Sequence, residues 1–126
     1  MTKRKLLGMA TVAAIAGIMG ITALASKSDT CNLAGGGHIG IGSLTSDGGD
    51  AYTAKTLSSG CATRTALSVI NHYGEVAVSY DTGIVNGGTS KTLSYYDGTV
   101  GANSEHSLYQ YSGRVFLARD WCSVGR

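Results

Sequence analysis

Thr65 to Asp81, TALSVINHYGEVAVSYD, constrains the fold more than any other stretch, because its apolar residues recur every second position on both sides of a turn. Leu67 and Val69 fall on one face of an extended chain. Val76, Val78 and Tyr80 do the same after Asn71-His72-Tyr73-Gly74, with Glu75, Ala77 and Ser79 opposite. Period-two alternation is the pattern of a half-buried strand, and Asn and Gly between two such runs tolerate the positive φ of a reversal. The stretch reads as a β-hairpin. A lone hairpin is marginal in water, so further strands are needed to cover its apolar face.

The rest of the chain supplies them. Ile39 to Leu44 reads as an edge strand entered through a glycine-rich loop, and Tyr52 to Leu57 as a weak strand after the turn residues TSDGGD at 45–50. Thr92 to Tyr96 and Thr99-Val100 flank Asp97-Gly98, one of the strongest short hairpin signals, since both positions of a type I′ turn need positive φ. Ser107 to Tyr111 and Arg114 to Arg119 repeat the design around Ser112-Gly113. After residue 25 no segment keeps the i, i+3, i+4, i+7 apolar pattern beyond one turn. The expected architecture is all-β, a small antiparallel sandwich or barrel built from hairpins.

The first 25 residues differ in kind. Lys3, Arg4 and Lys5 precede an uncharged run from Leu6 to Ala25 that ends in Ala23-Leu24-Ala25, with small residues where a signal peptidase cleaves. A hydrophobic helix acting as a signal peptide over 1–25, followed by one domain over 26–126, is the expected organisation. The run is also long enough to be retained as a membrane anchor. Either way the domain lies outside the cytoplasm, secreted or membrane-anchored. Three of the ten Lys and Arg lie in this leader, which leaves seven against eight Asp and Glu. No basic patch remains, so nucleic acid is not an expected partner. The membrane is one only if the leader is retained.

Few side chains suggest chemistry. Gly35 to Gly40 matches G-x-G-x-x-G by letter, but the strand, helix and parallel sheet that a dinucleotide site requires have no room here. Asp47 and Asp50 lack the spacing of a calcium loop. His38, His72 and His106 are far apart and without metal-ligand spacing, so neither metal nor cofactor is expected. Glu105-His106, near Arg114 or Arg119, is the nearest approach to an acid, base and cation cluster, and would serve a small secreted hydrolase, although Gly101 to Ser104 before it reads as a polar loop.

Cys31, Cys61 and Cys122 permit three pairings in an oxidising compartment. Loop entropy separates them by only about 1 kcal/mol. Placement on ordered elements favours a Cys61–Cys122 disulfide, with Cys31 at a loose end after the polar stretch 26–30. Tyr95, Tyr96, Tyr109 and Tyr111, set among Ser, Thr, Asn and Gly, are the expected binding residues, with one of the adjacent Tyr95 and Tyr96 facing outward. The expected function is non-enzymatic surface contact, as a structural or assembly subunit or a binding or antagonist module. Its partner would be a protein or carbohydrate surface, or further copies of itself.

Overall fold

A computed structural model describes residues 27–126, so the expected leader lies outside the described residues. Nine strands follow one another: β1 Lys27–Gly35, β2 His38–Ser46, β3 Ala51–Ser58, β4 Cys61–Asn71, β5 Val76–Asp81, β6 Val85–Asn86, β7 Thr89–Ser94, β8 Thr99–Gln110 and β9 Phe116–Gly125. They form two antiparallel sheets packed face to face, one ordered β1-β2-β3-β7 and the other β5-β4-β8-β9, with β6 joined to β4. The described part is therefore all-β and sandwich-like.

The stretch 65–81 is a hairpin, and its register pairs Leu67 with Tyr80 and Val69 with Val78. Asn71 closes the turn, its side-chain oxygen accepting the backbone N–H groups of Tyr73 and Glu75 at 3.0 Å each. Only the first strand is fully covered: Leu67 and Val69 are buried, whereas Val76 and Tyr80 remain about half exposed because β5 is the outer strand of its sheet. Tyr80 instead stacks beneath the Lys91 ammonium, 4.0 Å from its ring centre.

Several local expectations need correction. Lys27 to Thr30 is not a loose lead-in but the first half of β1, and β2 is an inner strand held by β1 and β3. Residues 101–106 belong to β8 rather than to a loop. Asp97-Gly98 does not make a hairpin: β7 and β8 lie in different sheets, and the chain turns a corner between them. Gly98 has φ +90 but Asp97 does not enter the left-handed region, so the type I′ geometry is absent. The Ser112-Gly113 reversal does join β8 to β9.

The interior is layered. Cys31, Leu44, Tyr52, Ala54, Leu67, Val69, Ala102, Cys122 and Val124 form the larger apolar cluster, and Leu33, Cys61 and Leu108 a smaller one. Inward positions along β4 run Cys61, Thr63, Thr65, Leu67, Val69; along β8 they run Ala102, Ser104, His106, Leu108. Both strands thus pass from one apolar cluster to the other through buried polar residues. Buried Thr56 on β3, Thr89 on β7 and Asp120 on β9 continue the same polar layer across the sandwich.

Candidate functional site

That layer holds His106 and a run of buried hydroxyls. Its hydroxyls form one chain: Thr63 to Thr89 at 2.9 Å, Thr89 to Thr65 at 2.8 Å, Thr65 to Thr56 at 2.6 Å. Thr56 then meets His106 Nδ1 at 2.8 Å, and His106 Nε2 meets Ser104 at 2.6 Å. Every member comes from an inward position of a different strand or from an i, i+2 pair on one strand, so period-two geometry alone brings them to one level. A buried polar network of this kind is costly when incomplete and rigid when complete.

Three potential ligands gather beside the imidazole. One ligand atom each from Cys31, His106 and Cys122 lie within 4.8 Å of one another, all buried. Cys31 comes from β1, His106 from β8 and Cys122 from β9. Gly42 on β2 completes the wall, for a Cβ there would stand 2.7 Å from Cys31 Sγ and nearer still to the His106 ring. Asp120 faces His106 directly across the β8–β9 ladder, and its Oδ2 is buried with no hydrogen-bond partner among the described residues. No sequence spacing reveals this group, because the fold brings its three members together from positions 31, 106 and 122.

The Glu105–His106 acid–base pair does not form. Adjacent strand residues point to opposite faces, so His106 is buried in the layer while Glu105 stands on the outer face of its sheet. There Glu105 belongs to a row of charges crossing the whole sheet. Arg64 binds Asp81 through Nε at 2.9 and 3.0 Å and reaches Glu105 at 3.0 Å, and Arg119 reaches the same carboxylate at 3.1 Å. The Arg64 guanidinium, chiefly through its hydrogen bonds, holds the Asp81 carboxyl below its ordinary range. Of the two expected cations, Arg119 joins this row, while Arg114 donates to the Ile84 carbonyl at 2.7 Å.

The four expected contact tyrosines are not one surface. Tyr95 and Tyr96 sit at the corner before β8, Tyr109 and Tyr111 at its far end, and a strand of twelve residues separates the two sets by roughly 35 Å. Tyr96 is 90% exposed and Tyr111 54%, whereas Tyr109 is buried edge-on against Phe116. Tyr95 packs on the larger core cluster, so the adjacent pair divides as its alternation implies.

The expected Cys61–Cys122 disulfide is excluded by register. Cys61 lies opposite Gln110 and Cys122 opposite Ser104 on the same strand β8, which places them about 20 Å apart along it. A bridge needs Cα atoms within roughly 7 Å.

Sequence reasoning missed the outer face of the first sheet. Ile39, Ile41 and Leu57 are 75%, 53% and 59% exposed. Ile41 and Leu57 are direct cross-strand partners, and with Ala34, Asn32, Ser58 and Ser59 they line an open groove of about 580 Å³. The signal was present in Ile39-Gly40-Ile41, but alternation does not say which of two faces meets the core. Comparison of the chain with protein-family models, with curated proteins and with solved structures gave no match.

Proposed function

We propose that the chain is an exported, non-enzymatic β-sandwich domain that works by contact through the outer face of its first sheet. The observation that carries this reading is the Ile39, Ile41 and Leu57 surface, an aliphatic groove left open to solvent on the outer face of a sheet. Contiguous exposed apolar surface costs solubility and marks interaction sites. The groove has only Asn32, Ser58 and Ser59 as polar neighbours, too few to satisfy the hydroxyls of a sugar. A protein partner, including a further copy of the chain, fits it better.

The buried imidazole supports the same reading from the other side. His106 is fully buried with both ring nitrogens hydrogen-bonded, so it offers neither a free lone pair nor access to a substrate. Tyr96 and Tyr111 add smaller exposed contacts at the two ends of β8.

The test places a photocrosslinking residue at position 41 or 57 of the full-length chain in exporting cells. Crosslinks to one protein, or to a second copy with concentration-dependent sedimentation of the purified domain, are expected, and Leu57→Ser should remove them without changing the fold. A monomeric domain that crosslinks to nothing from either position would refute the reading.

A further inference from the structure

We propose that Cys31 and Cys122 form a disulfide that ties the two sheets together, leaving Cys61 as the one thiol of the folded domain. Their sulfurs lie 3.5 Å apart, 3% and 0% exposed, on strands from opposite sheets. β1 and β9 are the outer strands of their sheets and share no backbone ladder among the described residues. The edge they form is held by side chains alone: Asp29 accepting the Ser123 N–H at 3.0 Å, Lys27 donating to the Arg126 carbonyl, and the sulfur pair. A bond there adds a covalent tie to an edge that no backbone ladder joins among the described residues. The two sulfurs are already in contact, so small side-chain rotations bring them to bonding distance.

Cys61 is separated from both. It is fully buried in the smaller cluster with Leu33 and Leu108, which makes it an inert apolar side chain rather than a linkage to another molecule. The odd cysteine of an exported chain is thereby accounted for.

The rival use of the pair is a metal site with His106. It is less well supported, because both imidazole nitrogens are engaged by Thr56 and Ser104, and a metal would have to break one of these bonds inside a closed core. Two thiols, by contrast, form the bond without disturbing the imidazole. The reaction is thiol–disulfide exchange with an external disulfide, from a protein oxidoreductase or a small molecule. One thiolate attacks the external disulfide, and the second displaces the external sulfur from the mixed disulfide. The Cys31–Cys122 bond forms, the external disulfide is reduced to two thiols, and the two protons lost from the cysteines go to them. Because both sulfurs are buried, exchange takes place before the β1/β9 edge closes during folding.

The test is the full-length chain exported into oxidising medium, unfolded without reductant and alkylated. One alkyl group per chain is expected, at Cys61, and proteolysis should yield a Cys31 peptide linked to a Cys122 peptide. Cys61→Ser should leave that link intact. Three alkyl groups, a link from Cys61 to either other cysteine, or stoichiometric zinc or copper retained by native mass spectrometry and lost in His106→Ala would each overturn the proposal.

Discussion

Gly42→Ala tests the packing of the polar layer directly. The backbone at Gly42 is not in the left-handed region, so alanine fits its φ without strain, and lowering unfolded-chain entropy favours the variant by about 0.4–1 kcal/mol. The new Cβ, however, would lie 2.7 Å from Cys31 Sγ and nearer still to the His106 ring, where ordinary contacts are 3.4 Å or longer. Something has to move by most of an ångström. Overpacking of this kind costs about 1–3 kcal/mol in well-packed cores. The ring is also pinned by Thr56 on one side and Ser104 on the other, so displacing it weakens two buried hydrogen bonds worth about 1 kcal/mol each. The net expectation is a loss of about 2–4 kcal/mol, against about 5–15 for a whole domain. With a slope of about 2 kcal/mol per molar, the urea midpoint should fall by roughly 1–2 M. Ser43→Ala, the neighbouring position on the opposite face, is the control and should stay within about 0.5 kcal/mol. If Gly42→Ala unfolds at the wild-type midpoint or above it, the tight inter-sheet contact is wrong.

Four further outcomes can be checked by denaturation. Tyr52→Phe should cost about 1–2 kcal/mol, since it leaves the buried Thr99 hydroxyl without its 2.6 Å partner. Burial raises the Tyr52 pKa, so the unfolded chain ionises first, near pH 10; stability is full below that pH and falls as pH rises beyond it, with a slope that Tyr52→Phe removes. Asp81 behaves oppositely: Arg64 lowers its pKa, so its contribution is present above about pH 4 and lost as pH falls through the folded value. Because the Asp81 side chain is 47% exposed, Arg64→Met should change acid stability by under about 1 kcal/mol in a pH titration of the urea midpoint. Tyr95→Ala should destabilise through lost packing, whereas Tyr96→Ala should leave the urea midpoint within about 0.5 kcal/mol of the wild type. If the proposed Cys31–Cys122 bond forms, reducing protein produced in an oxidising medium should lower stability by about 2–5 kcal/mol, read as the difference between unfolding curves with and without reductant.

Strand by strand, much of the fold was legible beforehand because side chains alternate with a period of two in any extended segment. Tyr52, Ala54 and Thr56 face inward and Thr53, Lys55 and Leu57 outward, as their alternation implies, and the turns at 47–50, 72–75 and 111–115 each hold a glycine. Hidden from local pattern were the positions whose partners come from the other sheet. His106 looked solvated because Gly101 to Ser104 is polar, yet the sandwich encloses it, and Thr56 from β3 and Ser104 from its own strand satisfy its nitrogens where water otherwise would. Cys31 looked loose because Ser28-Asp29-Thr30 is polar, yet β2 pairs with all of that stretch and carries the cysteine inward. Asp97-Gly98 promised a hairpin, and the chain used it to change sheets, since a tight turn determines the reversal but not the ladder the next strand joins. Which sulfurs meet is decided the same way. Pairing between β1 and β9 is a matter of how two sheets stack, and stacking depends on contacts between residues 91 positions apart, which no local periodicity contains.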